Sequence, residues 1–90
     1  VVIWLRTDKG PVAVVMVGAT NVGQMRMAFD PELVSNIGQQ GRVQTYDSPI
    51  PVKAGDELGT FCMGSTAIVL YPETFDIAPQ PGVVLIGQSL

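Results

Sequence analysis

Gly64-Ser65-Thr66 carries the strongest chemical signal in this sequence, because it interrupts an apolar run. The run is Phe61-Cys62-Met63-Gly64-Ser65-Thr66-Ala67-Ile68-Val69-Leu70-Tyr71. Glycine weakens a strand interior and often marks close backbone approach, and a buried serine needs a partner for its hydroxyl. Two readings follow: a kinked strand without chemistry, or a Gly64-Ser65 bond that is itself reactive. In the second, the Ser65 hydroxyl attacks the Gly64 carbonyl carbon and turns the amide into an ester. Gly64 has no side chain to obstruct that attack and tolerates strain. Elimination then converts Ser65 to dehydroalanine, and loss of ammonia leaves a pyruvoyl ketone at the new N-terminus. Such a ketone forms a Schiff base with an amine and acts as an electron sink.

The wider context is more specific than Gly-Ser-Thr alone. The stretch Gly55-Asp56-Glu57-Leu58-Gly59-x-Phe61-x-x-Gly64-Ser65-Thr66-x-Ile68 resembles the processing region of phosphatidylserine decarboxylases. Val17-Gly18-Ala19-Thr20-Asn21-Val22-Gly23 resembles a second segment of that family, and Val84-Leu85-Ile86-Gly87-Gln88 its closing strand. The likeness is to the C-terminal portion of the bacterial-type enzymes. It implies self-cleavage between Gly64 and Ser65, with residues 1–64 ending a β chain and 65–90 forming the α chain. It implies a pyruvoyl group on Ser65 that binds the amine of phosphatidylserine and yields phosphatidylethanolamine and CO2. It further implies an upstream part of the β chain carrying the histidine and aspartate of self-cleavage and proton donation, a homo-oligomer, and peripheral attachment at the cytoplasmic face of a membrane. The fragment alone is then expected to be inactive.

A rival reading is a non-catalytic module related to biotinyl or lipoyl carriers. Val52-Lys53-Ala54-Gly55-Asp56-Glu57-Leu58-Gly59 is similar to one of their turn-and-strand segments. Those carriers present a modified lysine at a hairpin tip, but Met63 here is followed by Gly64, and the surroundings of Lys9 do not match.

Composition narrows the function classes. The 90 residues suffice for one small domain. Hydrophobic residues make up 47% and charged ones only 14%, an apolar balance that suits part of a larger body. The net charge is −3 and the five Lys and Arg are scattered, so a nucleic-acid partner, which needs clustered cations, is not expected. No apolar stretch approaches the roughly 18 residues of a membrane-spanning helix. The sequence contains no histidine, which excludes a Ser-His-Asp site within the chain and removes the commonest metal ligand. Cys62 is the only cysteine, so there is no internal disulfide; it reads as a small buried hydrophobe. The start Val1-Val2-Ile3-Trp4-Leu5 reads as mid-strand, as expected of a fragment or processed product.

The elements that position Gly64-Ser65 read as short strands punctuated by Gly and Pro. Strands are expected at Val1–Arg6 and Val12–Val17, paired as a hairpin about the turn Thr7-Asp8-Lys9-Gly10. The Gly18–Gly23 segment reads as a bulge or strand switch. Val22–Phe29 alternates with Met25, Met27 and Phe29 inward and Arg26 solvated. Asp30-Pro31-Glu32 suits one helical turn, and 33–41 a loop. Further strands are expected at Arg42–Tyr46, from Glu57 continuously through Gly64-Ser65 to Tyr71, at Phe75–Ile77, and at Val83–Ile86. Lys53-Ala54-Gly55-Asp56 and Tyr71-Pro72-Glu73-Thr74 read as turns, and Glu57 as exposed. The fold class is all-β, a small barrel or sandwich of short, mostly antiparallel strands forming part of a larger body.

Overall fold

The computed structural model describes residues 1–19, 23–36, 41–63, 66–77 and 80–88. Five strands are present, β1 (Val2–Thr7), β2 (Gly10–Val17), β3 (Met25–Met27), β4 (Gly59–Phe61) and β5 (Thr66–Leu70), with no helix among the described residues. They form two antiparallel sheets, one ordered β1-β2-β5 and the other β3-β4. The fold is all-β as expected. The two sheets stay open and do not close into a barrel among the described residues.

The β1–β2 hairpin forms because two β-branched, apolar runs flank a turn that satisfies its own polar groups. Thr7 pairs with Gly10, whose φ of 121° suits glycine. The Thr7 hydroxyl donates to the Gly10 carbonyl at 2.6 Å and accepts from the Lys9 amide at 3.2 Å. The turn after β5 packs on this tip. The Thr74 hydroxyl donates to the Lys9 carbonyl at 2.5 Å, and the Lys9 ammonium lies 5.7 Å from the Phe75 ring centroid.

The core lies between the sheets. Ile3 and Met16 from the larger sheet meet Met25 and Met27 from the smaller one, flanked by Val1, Leu5, Val14, Phe29, Leu33, Leu58 and Phe61. Alternation along β3 buries Met25 and Met27 and leaves Arg26 outside, as period-two geometry requires. The opposite face of the larger sheet is also apolar. Val2, Val15 and Ile68 share one cross-strand row, and Trp4, Ala13 and Leu70 the next. There Trp4 is 73% and Leu70 57% exposed, an uncovered apolar face of the kind that marks an interaction surface. A cleft of about 870 Å³ opens on the other side of β1, lined by Ile3, Leu5, Phe29, Leu33, Tyr46 and Ile50 among others.

Several expected elements differ. The strand foreseen from Glu57 to Tyr71 is two strands in different sheets. The strand foreseen over Val22–Phe29 contracts to Met25–Met27, matching the three residues β4 offers as partners; Val22 lies outside the described residues. Arg42–Tyr46, Phe75–Ile77 and Val83–Ile86 are not strands, because no neighbouring backbone pairs with them among the described residues, and a strand exists only by pairing. Asp30-Pro31-Glu32 makes a turn instead of a helical one: the Asp30 carbonyl accepts the Leu33 amide at 3.0 Å and its carboxylate accepts the Glu32 amide at 3.1 Å. The foreseen 33–41 loop contributes a bridge between Val34 and Arg26. Cys62 is exposed, not buried.

Candidate functional site: a double crossing between the sheets

Gly64 and Ser65 lie outside the described residues, but the residues on both sides of them are fixed. Downstream, Thr66 opens β5 and pairs with Val17 at the end of β2. Upstream, Phe61 closes β4 opposite Met25, and the Cys62 amide donates to the Gln24 carbonyl at 3.0 Å. The chain therefore crosses between the sheets twice, from β2 to β3 and from β4 to β5. Each end of one crossing is bonded to an end of the other. Val17, which precedes Gly18, and Gln24, which follows Gly23, are thus tied to the two flanks of Gly64-Ser65. Thr20, Asn21 and Val22 lie outside the described residues.

The flanks are accessible: Cys62, Met63 and Thr66 are exposed. Four residues, 62–65, connect β4 to β5, so the Gly-Ser bond occupies a short connection held at both ends.

The smaller sheet owes its position to contacts the sequence did not reveal. Ser35 is the first. Its hydroxyl donates to the Gly23 carbonyl at 2.5 Å and accepts the Met25 amide at 2.9 Å, while its own amide donates to the Met25 carbonyl at 3.0 Å. Gly59 is the second. A Cβ there would lie 2.8 Å from the Arg26 carbonyl oxygen and 3.0 Å from Met27 Cε, so β3 and β4 approach closely only because Gly59 has no side chain. The third is a pair beside the core. The Tyr46 hydroxyl donates to the Asp30 carboxylate at 2.6 Å, and the Tyr46 ring meets Phe29 edge-on at 6.3 Å. The Asp30 hydrogen bond is the main cause that holds the Tyr46 pKa above its ordinary value, with desolvation and the Asp30 charge adding and the Arg42 charge opposing.

Other candidates play no part in this geometry. Lys9 and Lys53 sit at turns. Glu57 is exposed and accepts the Thr60 hydroxyl. No group of three or more His, Cys, Asp or Glu able to hold a metal occurs among the described residues.

The comparisons give the family. The phosphatidylserine decarboxylase profile matches residues 1–90, and the chain belongs to the phosphatidylserine decarboxylase family. A phosphatidylserine decarboxylase proenzyme of Myxococcus xanthus is 48% identical over 93 residues, covering 99% of this chain and 33% of that one. The Anaeromyxobacter proenzyme is 45% identical, over 96% of this chain and 33% of its own length. The mitochondrial phosphatidylserine decarboxylase proenzyme 1 of Schizosaccharomyces pombe is 34% identical, over 86% of this chain and 21% of its own. The chain thus spans about a third of the length of the bacterial relatives it matches. No solved structure matches it.

Proposed function

We propose that this chain is the C-terminal part of a self-cleaving, pyruvoyl-dependent decarboxylase that converts phosphatidylserine to phosphatidylethanolamine and CO2. The observation that carries the reading is the tethering of both flanks of Gly64-Ser65, at Cys62 and at Thr66, in a chain of this family. Residues 1–64 then end the β chain and 65–90 form the α chain.

The processing chemistry uses the chain's own atoms. Ser65 Oγ adds to the Gly64 carbonyl carbon, the C–N bond breaks, and its nitrogen takes the hydroxyl proton, leaving an ester. A base removes the Ser65 α-proton, the Gly64 carboxylate leaves, and Ser65 becomes dehydroalanine. Tautomerisation gives the imine; one water enters and one ammonia departs, leaving the ketone. The resulting pyruvoyl group supplies an electron sink for an amine substrate that must lose CO2. Cys62, Met63 and Thr66, the described residues on either side of that group, are exposed, which supports access by an amine.

The resemblance implies that the histidine and aspartate of self-cleavage and proton donation come from the upstream part of the protein; this chain holds no histidine, and the 90 residues alone are expected neither to process efficiently nor to decarboxylate. Homo-oligomerisation and peripheral attachment to the cytoplasmic face of a membrane belong to the same reading and rest on the family. No helix among the described residues is long and apolar enough to cross a membrane. The family assignment favours this reading over a biotinyl or lipoyl carrier.

The test is a denatured intact mass of the full-length protein. Two species are expected, one ending at Gly64 and one beginning at residue 65 and lighter by one ammonia than a serine-initiated peptide. A single uncut chain, or lipoate or biotin on Lys9 or Lys53, would overturn it.

A further inference from the structure

We infer that Ser35 is a positioning residue for cleavage of the Gly64-Ser65 bond, an inference that rests on the self-processing reading above. The nearest fixed point upstream of that bond is the hydrogen bond from the Cys62 amide to the Gln24 carbonyl. Its geometry depends on where the Gly23–Met25 backbone lies. The β3–β4 ladder spans only three residue pairs, and an isolated two-stranded sheet is marginal in water. Core packing holds the Met25 and Met27 side chains, and the backbone of residues 23–25 is held by further hydrogen bonds.

Ser35 supplies three of these bonds to one short segment. Its hydroxyl is at once donor to the Gly23 carbonyl and acceptor from the Met25 amide, and its backbone amide reaches the Met25 carbonyl. These bonds bracket Gln24 on both sides and leave its carbonyl directed at Cys62. A second observation agrees. A Cβ on Gly23 would come within 2.5 Å of Asn36 Nδ2, so this backbone lies directly against the Ser35-Asn36 turn, where Asn36 adopts a φ of 59°. The turn and the crossing form one fitted contact, with the Ser35 hydroxyl at its centre.

The consequence is kinetic. Misplacement of reacting atoms by about 1 Å can cost about a hundredfold in rate. Ser35→Ala removes both hydroxyl bonds and frees the Gln24 carbonyl to shift. Ser35→Thr keeps a hydroxyl with the same donor and acceptor capacity. Ser35→Cys keeps the shape with a thiol that donates and accepts only weakly.

The experiment follows self-cleavage of the full-length proenzyme by denaturing electrophoresis, with the folded fraction measured in parallel by thermal unfolding. Expected are a roughly ten- to hundredfold slower cleavage in S35A at an unchanged folded fraction, recovery in S35T, and slow cleavage in S35C even if S35A fails to fold. Wild-type rates in S35A and S35C would overturn the assignment. So would cleavage that falls only in proportion to unfolding, or that S35T does not restore. Ser65→Ala serves as the reference: if the unsubstituted proenzyme is no more cleaved than S65A, the self-processing reading itself fails, a result separable from any effect of Ser35.

Discussion

Gly59→Ala tests whether the close approach of β3 and β4 sets the position of the proposed processing junction. The added methyl would lie 2.8 Å from the Arg26 carbonyl oxygen, 3.0 Å from Met27 Cε and 3.2 Å from Met27 Sδ. The methionine can swing aside, since its side chain is flexible. The carbonyl oxygen cannot move without carrying β3 with it. Overpacking of this kind costs about 1–3 kcal/mol. Replacing a strand glycine by alanine returns about 0.5–1 kcal/mol of backbone entropy. The balance is a net loss of about 1 kcal/mol, which lowers the Tm of the larger full-length protein by about 2 °C. Because β4 leads directly into Cys62, displacement should also slow cleavage at Gly64-Ser65. The assay is thermal unfolding of the full-length protein together with the cleavage time course. Gly41→Ala, where a Cβ meets nothing within 4 Å, serves as the comparison and should be neutral or slightly stabilising. A Gly59→Ala protein as stable and as rapidly cleaved as Gly41→Ala would refute the reasoning.

Met27→Ala should destabilise by about 2–5 kcal/mol, as expected for truncating a long core side chain, because Met27 is buried at the centre of the inter-sheet cluster; denaturant titration of the full-length protein measures it. Tyr46→Phe should remove a pH dependence at the alkaline end. The native state raises the Tyr46 pKa, so it holds that proton more tightly than the unfolded chain. The contribution is therefore full below the ordinary tyrosine pKa of about 10 and is lost as pH rises through the raised value. Unfolding midpoints between neutral and strongly alkaline pH should fall less steeply in Y46F than in the unsubstituted protein. Trp4→Ala in the full-length protein should cost about 3 kcal/mol or more, the value for a covered aromatic, if the rest of the polypeptide packs on the apolar sheet face; a change within about 0.5 kcal/mol would show that Trp4 stays solvent-facing.

The first hairpin was legible because its determinants are local. Two β-branched runs flank Thr7-Asp8-Lys9-Gly10, and all the groups that close the turn lie within it. The inward set of β3 was legible for the same reason, since alternation alone places Met25 and Met27 on one face. Arg42–Tyr46 and Val83–Ile86 show the opposite case. Both have strand-like residues, but strand formation depends on a partner, and a sequence does not show which backbone will lie alongside. The apparent strand through Gly64-Ser65 was misread for a related reason. Its apolar residues form a single run in sequence, while their pairing partners, Met25–Met27 on one side and Ala13–Val17 on the other, belong to different sheets.

The sequence by itself determined the all-β class, the identity of Gly64-Ser65 as the reactive candidate and the family resemblance that the comparisons bear out, because those depend on residue type, spacing and motif. The tertiary structure alone decided that the flanks of that bond are tied to Val17 and Gln24, that Ser35 fixes the Gln24 backbone, and that Gly59 lets β3 and β4 meet. Each of these is a contact between residues distant in the chain. Its existence depends on how two sheets pack, and no local pattern of side chains encodes that geometry.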